Sequence, residues 1–201
     1  QYRFPLGYGG QRTPTAQWTV TGAGAALVSS NGKGPKITGC TVGTVTDLGI
    51  KDANNMGAAM APSALATIKA HFEDFNTRPE DFDLIVTGDL GQVGKETLLN
   101  LAQLEGIGLG GKITDCGCLI FDNLKQDVHA GGSGCGCSAV TLCGELLNKL
   151  SKRKLNKILL NILNTKINTN TLYPYEVIRT LDKNYYISVE ERASLDAIWK
   201  N

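Results

Sequence analysis

The residues of this chain best suited to chemistry lie between Asp127 and Val140 (DVHAGGSGCGCSAV), a stretch with four glycines, two cysteines and one of the chain's two histidines. Apolar residues then recur at helical spacing, at Val140, Cys143, Leu146, Leu147 and Leu150. A glycine-rich turn before a helix exposes backbone N–H groups that lack intrahelical partners, and the helix dipole adds positive potential there. The pattern suits an anionic ligand or a developing negative charge. Alternatively, the glycines only let the helix pack closely on a neighbouring strand.

Two Cys-x-Cys pairs, Cys116/Cys118 and Cys135/Cys137, lie on either side of His129. Structural zinc prefers two or more residues between paired cysteines, so the spacing matches a zinc site only partly, and an iron–sulfur cluster fits less well. Cys135 or Cys137, at the start of the predicted helix, could have a lowered pKa and act as a nucleophile with His129 as base. Buried thiols are the simpler interpretation, so no metal site is predicted.

A second glycine pattern, Gly88, Gly91 and Gly94, follows an apolar strand and precedes a helix. The spacing is not that of a dinucleotide loop, and no acidic residue is expected at the end of the following strand, so a nicotinamide or flavin site is not favoured. Asp89 is predicted to be a helix N-terminal carboxylate stabilised by the dipole. Its place at a strand-to-helix turn is also where α/β proteins bind ligands.

The elements that position these residues alternate between strands and helices. Two strands, Thr15–Ser29 and Ile37–Leu48, are expected to form an antiparallel pair. A helix follows, with candidate caps at Asp52–Asn55 and Pro62 in its first turn. Its buried face is marked by Leu65, Ile68, Phe72 and Phe75. His71 beside that face is interpreted as a surface or satisfied histidine. The later elements are a strand at Phe82–Thr87, a helix through Leu98 and Glu105, a segment at Ile113–Cys118, and a strand at Ile158–Leu163. This alternation predicts a layered α/β domain with a mostly parallel centre.

The composition changes at Asn164, where a polar stretch, NTKINTNT, begins. Residues 1–163 are therefore assigned to one domain and residues 164–201 to a divergent tail. In that tail Ser188 and Glu191 are expected to form a capping box that opens a short helix through Trp199.

Net charge and apolar content limit the kinds of partner. The 201 residues include 20 basic and 19 acidic ones, and this balance argues against a nucleic-acid-binding domain. No apolar run approaches the ~20 residues that span a bilayer. Gln1 is not an initiator residue and no signal-peptide pattern follows it, so a fragment or processed product is expected. The six scattered cysteines suit a reducing compartment better than a disulfide scaffold.

One basic cluster interrupts this balance, near the end of the helix that follows the glycine-rich loop. Its members are Lys149, Lys152, Arg153, Lys154 and Lys157. Cations complement a helix C-terminus, so a solvated helix end is the favoured interpretation. A weak contact with anionic lipid is the alternative.

Four long strings of residues resemble one known family. They are Arg3–Gly24 (RFPLGYGGQRTPTAQWTVTGAG), Asn54–Pro62 (NNMGAAMAP), Asp83–Gly91 (DLIVTGDLG) and Gln126–Ala139 (QDVHAGGSGCGCSA). Together they are similar to the stage V sporulation protein AD family of the thiolase-like superfamily, from about residue 1 to about residue 160. The resemblance implies a thiolase-like α/β fold, with this chain as the C-terminal half of an α/β/α/β/α sandwich. It also implies a ligand pocket between the two halves.

The same resemblance implies a function. The family contributes to dipicolinic acid uptake into the developing spore and to its release at germination, binds dipicolinate, and works with stage V sporulation A membrane proteins at the spore inner membrane. The family's first half, with the cysteine at the thiolase nucleophile position, is expected to be absent here, and the tail from about Leu160 to be unrelated, as in a truncated or frameshifted reading frame.

Condensing enzymes of the superfamily carry a histidine where this chain has Gly88-Asp89 and an asparagine near Gly132–Gly134. The groups that would stabilise an oxyanion are therefore missing, and the resemblance implies a non-enzymatic binding protein. Two alternatives stay open: an acyltransferase with Cys135 as nucleophile, and an inactive fragment that exposes an apolar face and forms a homodimer or aggregates.

The expected ligand site combines the backbone N–H groups of the glycine-rich loop with His129, which together would hold one carboxylate of dipicolinate. Asp89 would repel that anion, so a calcium-bridging or loop-fixing role is expected for it. No cofactor is expected beyond dipicolinate or its calcium chelate. The predicted site residues are Asp89, His129, Gly132, Ser133, Gly134 and Cys135.

Overall fold

The computed structural model describes residues 13–31, 34–44, 46–52, 54–162 and 185–190. Its centre is a five-stranded sheet, whose strands are β2 (Lys36–Val42), β3 (Leu84–Thr87), β4 (Ile113–Asp115), β6 (Lys157–Ile162) and β7 (Tyr185–Glu190). They lie in the order β2-β7-β6-β3-β4. Two short strands, β1 (Trp18–Thr19) and β5 (Gly132–Ser133), form a separate parallel pair.

Helices connect the strands. They are α1 (Met56–Phe75), α2 (Gly91–Leu104), α3 (Cys116–Leu119), α4 (Cys135–Thr141) and α5 (Leu147–Ser151), with a 3₁₀ turn at Pro79–Asp81. A π-helical turn, Leu142–Leu146, joins α4 to α5 without interruption. Strands and helices therefore alternate along most of the chain, as the sequence predicts.

The sheet has a parallel centre, because β3 pairs in parallel with both β4 and β6, while β7 is antiparallel to β6 and β2. Successive residues of a strand point to opposite faces. Ile85 and Leu159 join one apolar cluster with residues of α1 and α2. Val86 and Leu160 join a second cluster that includes Leu146 and Leu150 from the helical run after the glycine-rich loop. Helices thus cover both faces, and the α/β class is confirmed.

A close contact between α1 and α2 fixes the loop that precedes α2. A Cβ atom added to Gly57 would lie 2.7 Å from the backbone nitrogen of Gly94 and 2.8 Å from the carbonyl oxygen of Leu90. Only glycine allows backbones to approach this closely. The contact holds the start of α2 against the start of α1, at the carboxyl edge of β3.

The expected strand at Thr15–Ser29 is wrong for most of its length, since only Trp18 and Thr19 form a strand. They pair with β5, whereas β2 pairs with β7, so the expected antiparallel pair does not exist. The second strand also ends at Val42 and does not reach Leu48. Helix packing explains why Thr15–Ser29 does not form a long strand: a Cβ at Gly24 would meet the carbonyl oxygen of Ala139 at 2.3 Å. The backbone near Gly24 lies against α4 and is not available to a sheet.

The expected caps of the first helix, at Asp52–Asn55, include the actual N-cap Asn55, but Pro62 does not lie in the first turn. The helix begins at Met56, and the side chain of Asn55 accepts a hydrogen bond from the Ala58 N–H, so Pro62 lies inside the helix. The Asn55 side chain satisfies one of the backbone N–H groups that lack an intrahelical partner at the start of the helix. Leu65 and Ile68 are buried as predicted and Phe72 is half-buried, but Phe75, near the end of the helix, is exposed, which corrects that part of the prediction. His71 is 1% exposed and lies 3.1 Å from the Thr41 hydroxyl through Nδ1, which confirms it as a satisfied histidine.

The expected short helix that opens at Ser188 is wrong, because Ser188 lies within β7. The segment YYISVE is rich in β-branched and aromatic residues, and it pairs on both sides, with β2 and β6. The rest of that expected helix, residues 191–199, lies outside the described residues. In the ranges that are described, every helix is too short or too polar to cross a membrane.

Candidate functional site

The buried carboxylate of Asp115 organises the carboxyl edge of the parallel strands. Its Oδ2 accepts hydrogen bonds from the Thr87 hydroxyl at 2.6 Å and the Leu90 N–H at 2.8 Å. Its Oδ1 accepts from the Gly91 and Gly117 N–H groups, both at 2.9 Å. One side chain at the end of β4 therefore fixes the end of β3, the start of α2 and the start of α3.

Two opposing effects act on the pKa of Asp115. Burial disfavours the charged carboxylate and raises the pKa, and the neighbouring Asp89 acts in the same direction, while the donors from Thr87, Gly91 and Leu90 lower it. The net result is a pKa of about 6. The group is 0% exposed. Asp115 is thus a structural carboxylate whose protonation state changes in mildly acidic solution.

The expectation that no acidic residue ends the strand after the Gly88–Gly94 loop is wrong, because Asp115 ends β4. An acidic residue in this place could accept ribose hydroxyls of a dinucleotide. The oxygens of Asp115 already accept four hydrogen bonds from the protein. The carboxylate therefore holds loops together and does not form a dinucleotide site.

Asp89 connects two loops. Its Oδ2 accepts a hydrogen bond from the Gly134 N–H at 3.1 Å and a long one from the Ser133 hydroxyl at 3.4 Å. Gly134 is the N-cap residue of α4 and has φ 105°, in the region that favours glycine. The prediction that Asp89 serves the N-terminus of its own helix is corrected: α2 begins with Leu90 as N-cap, and the Asp89 carboxylate lies at the start of α4.

Gln17 joins the same two loops from the amino-terminal side. Its Nε2 donates to the carbonyl oxygens of Asp89 and Gly132, each at 3.0 Å. Close packing of glycines completes this arrangement, since a Cβ at Gly117 would lie 2.1 Å from the Gly132 carbonyl oxygen. The three loops, after β3, β4 and β5, are therefore fixed to each other and to β1.

The predicted site residues differ in their access to solvent. Gly132 and Ser133 are buried, Gly134 and Asp89 are half-buried, and the His129 side chain is 27% exposed. His129 has φ 49° and its Nε2 lies 3.2 Å from Asp127 Oδ1. The structure thus brings Asp89, Ser133 and Gly134 together, while the imidazole of His129 pairs with Asp127. A role of these residues in ligand binding stays a prediction.

The tight-packing interpretation of the glycines applies to part of the loop. A Cβ at Gly132 would lie 2.7 Å from a methyl group of Ile120, and one at Gly136 would lie 2.7 Å from the Gly22 carbonyl oxygen. At Gly134 the nearest such contact is 3.4 Å, with Thr19. Bulk at Gly132 would therefore disturb packing, and a side chain at Gly134 would meet backbone strain because of its φ of 105°.

Three thiols near the loops, those of Cys116, Cys118 and Cys137, are protonated at neutral pH. Burial raises the pKa of Cys116 and Cys118 to about 12 and raises that of Cys137 further. A nucleophile needs the opposite shift, so the alternative of an activated thiol is wrong for Cys137, which is buried as the simpler interpretation predicts. The Cys135 side chain is not among those that the structure describes. Within the described ranges no group of three His, Cys, Asp or Glu side chains could hold a metal ion.

Sequence reasoning missed Asp115, Thr87 and Gln17. A signal for Asp115 was present, since aspartate is a favoured N-cap residue and Asp115 directly precedes the helix at Cys116. For Gln17 no local pattern exists, because its two acceptors lie 72 and 115 residues further along the chain.

Comparison with known proteins gives a family. A family model described as Stage V sporulation protein AD (SpoVAD) matches residues 1–178, which extends beyond the expected limit near residue 160. Stage V sporulation protein AD of Bacillus subtilis (strain 168) is 43% identical over 181 residues. That alignment covers 90% of this chain and 53% of the relative, so the chain spans about half of the relative's length.

Solved structures with a similar fold are thiolases. Human mitochondrial 3-ketoacyl-CoA thiolase matches with a TM-score of 0.42 and 14% identity, over 77% of this chain and 29% of that one. The acetyl-CoA acetyltransferase of Bacillus anthracis matches with a TM-score of 0.42 and 18% identity, over the same shares. At this TM-score the likeness carries no functional argument. The family match over residues 1–178 and the 43% identity show that the chain belongs to the Stage V sporulation protein AD family, a family of sporulation proteins.

Proposed function

We propose that this chain is a non-enzymatic sporulation protein that binds dipicolinate and supports its uptake into, and release from, the spore. The proposal includes a peripheral location at the spore inner membrane and stage V sporulation A membrane proteins as partners. Because the chain spans 53% of its relative, these are proposals about the whole protein as well as about this part of it.

The hydrogen bond from Gly134 N to Asp89 Oδ2 carries the proposal for the site. It ties the loop after β3 to the loop before α4, at the carboxyl edge of parallel strands, where α/β proteins bind ligands. Dipicolinate is a small planar dianion and needs hydrogen-bond donors at such an edge. With Gly132 and Ser133 buried, the half-buried Asp89 and Gly134 and the more exposed His129 are the predicted site residues that a ligand could reach.

The Asp89 carboxylate affects whether free dipicolinate or its calcium chelate would bind. It would repel a free dianion, and it already accepts the Gly134 N–H, which is therefore not available to a ligand carboxylate. This geometry favours the loop-fixing role for Asp89. A calcium ion chelated by dipicolinate would turn the repulsion into attraction, because carboxylate oxygens are preferred calcium ligands.

The chemistry of the thiols supports a binding role over an enzymatic one. Cys116, Cys118 and Cys137 have raised pKa values because they are buried, so none of these three is an activated nucleophile. The second candidate, an acyltransferase, would have to use Cys135. Incubation with a thioester substrate, followed by mass spectrometry, separates the two: an acyl group on Cys135 supports the acyltransferase and contradicts the binding role.

The experiment that tests the proposal is calorimetric titration with dipicolinate, with and without calcium, together with thermal melts. The informative variant is His129→Asn, because His129 has φ 49° and asparagine tolerates that backbone conformation better than other non-glycine residues. Asp127→Asn is the matched control, since it removes the charge of the side chain beside the imidazole and keeps the imidazole.

We expect dipicolinate to raise the melting temperature of the wild-type chain. We expect the His129→Asn variant to bind dipicolinate more weakly, and the Asp127→Asn variant to bind it as the wild type does. If His129→Asn and the Ser133→Ala variant both bind as the wild type does, the assigned site is wrong. If the wild-type chain melts cooperatively without any shift in dipicolinate, the binding function of this chain is wrong.

A further inference from the structure

The helical run that starts in the glycine-rich loop ends in a tight turn. The Arg153 N–H donates to the Leu150 carbonyl and the Lys154 N–H donates to the Lys149 carbonyl, both at 2.9 Å. Arg153 has φ 52°. This is the hydrogen-bond pattern of a Schellman motif, with Arg153 in the left-handed position usually taken by glycine. The turn folds the chain back and holds the lysines before and after it close together.

The lysines line a shallow depression of about 230 Å³, whose walls are formed by Gly144, Glu145, Asn148, Lys149, Lys152 and Lys154. Lys152 and Lys154 are exposed, and neither makes an ion pair within the described part of the chain. Lys149 pairs with Glu145 at 2.6 Å, so Glu145 offsets one of the three lysine charges. A surface of net positive charge results, in a chain with a formal net charge of only +1.

The form of this surface favours a bilayer over a small anion. A site for one small anion would hold it with buried, oriented donors, whereas these ammonium groups are on flexible side chains around an open depression. A membrane with anionic headgroups needs no such geometry, because each lysine near it adds attraction through the surface potential. Nucleic acid is disfavoured by the balanced charge of the whole chain.

We propose that the surface formed by Lys149, Lys152 and Lys154 binds the anionic headgroups of a lipid bilayer. Each lysine contributes about fivefold in affinity at low ionic strength. Because Glu145 offsets the charge of Lys149, two lysine charges remain and the binding is weak. Salt at 0.1 M screens this attraction beyond about 10 Å. The contact would add to a stronger attachment through protein partners. It does not depend on dipicolinate binding, and its test uses lipid alone.

The test is sedimentation of the purified chain with vesicles of phosphatidylcholine, and with vesicles that also contain phosphatidylglycerol. The informative variant is Lys152→Glu/Lys154→Glu. The control is Lys51→Glu/Lys125→Glu, which makes the same change of net charge at two exposed lysines outside the depression. Thermal melts establish that both variants fold.

We expect the wild type and the control variant to sediment with the phosphatidylglycerol vesicles at low salt, and the Lys152/Lys154 variant to bind at least tenfold more weakly. Equal loss in both variants would mean that net charge alone matters and would overturn the proposal. So would binding that does not respond to salt, or that inorganic phosphate abolishes at an ionic strength where sodium chloride does not, since the latter identifies a small-anion site.

Discussion

Asp89 and Gly134 are 45 residues apart in sequence, and a single hydrogen bond of 3.1 Å joins the Asp89 carboxylate to the Gly134 N–H. The bond gives α4 a capping carboxylate from a different element, in a helix whose own N-cap is a glycine without a side-chain cap. A carboxylate near a helix N-terminus is stabilised by the dipole. The charge of Asp89 and the structure of the glycine-rich loop are therefore linked.

Replacing Asp89 with asparagine separates these two properties. The amide oxygen can still accept the Gly134 N–H, so we expect the fold to persist with a loss of about 1 kcal/mol, because the acceptor is no longer charged. If Asp89 only fixes the loop, removal of its charge strengthens binding of free dipicolinate by about fivefold. Calorimetric titration measures this change.

The control for Asp89→Asn is Asp47→Asn, at an exposed loop where the carboxylate accepts the Gly49 N–H. It changes net charge equally and leaves the site intact, so no change in binding is expected. Loss of binding of the calcium chelate in Asp89→Asn alone would contradict the loop-fixing role and support calcium bridging.

The pKa of Asp115 predicts a specific dependence of stability on pH. Its folded-state pKa is about 6, above the ordinary value of 3.8, so between these values the native state binds more protons than the unfolded state. The contribution of Asp115 to stability is fully present below pH 3.8 and is lost as the pH rises through 6. The shift corresponds to about 3 kcal/mol. Urea denaturation of the wild type and Asp115→Asn, between pH 4 and pH 7, measures the difference.

The Asp115→Asn variant has no carboxyl group that titrates at this position. Its free energy of unfolding should therefore fall less with rising pH than that of the wild type. Asp83→Asn is the control of opposite sign, because the N–H groups of Asn156 and Lys157 lower the pKa of Asp83. The Asp83 contribution is lost as the pH falls through its folded-state pKa. Parallel pH profiles for the wild type and Asp115→Asn would contradict the assignment.

Local periodicity made the helices and the central strands predictable. Leu65 and Ile68 mark the buried side of α1 because helical spacing reports directly which face is covered. The apolar run at Leu84–Val86 likewise indicates a strand buried on both faces. In each case the signal lies within a few residues, and no distant partner is needed to interpret it.

The predictions from sequence were wrong where contacts with residues far away in the chain determine the local structure. Thr15–Ser29 has strand-forming residues, yet its backbone near Gly24 lies against Ala139 of α4, which no local pattern reveals. The role of Asp115 depends on donors 24 to 28 residues earlier in the chain. β7 contains Ser188, whose capping pattern is overridden by pairing on both sides of the strand.

The left-handed conformation of Arg153 predicts a stabilising substitution. A non-glycine residue in this conformation destabilises the folded state by about 1–2 kcal/mol. Glycine avoids that cost, but it also increases the conformational entropy of the unfolded chain, which offsets part of the gain. Arg153→Gly should therefore raise the free energy of unfolding by about 0.5–1 kcal/mol. Arg153→Ala removes the same side chain and keeps the backbone cost, so it should not stabilise. Equal effects of the two variants in urea denaturation would mean that the side chain, and not φ, determines the result.

The buried amide of Asn161 in β6 predicts a second stabilising substitution. It is 0% exposed, and neither its nitrogen nor its oxygen has a hydrogen-bond partner in the described part of the chain. In register it lies beside Thr87, whose hydroxyl donates to Asp115. Burial of an unsatisfied amide costs about 1–3 kcal/mol, and a side chain of similar size without polar atoms avoids this cost.

Asn161→Leu should therefore raise the free energy of unfolding by about 1–3 kcal/mol, measured by urea denaturation. Asn161→Asp keeps the shape and adds a charge, so it should destabilise the protein strongly at neutral pH. Asn161→Ala removes the unsatisfied atoms but leaves a cavity, which places it between the other two. If Asn161→Leu is less stable than the wild type, the amide makes a hydrogen bond in solution, and the carboxyl edge of β6 then belongs to the polar network of Thr87 and Asp115.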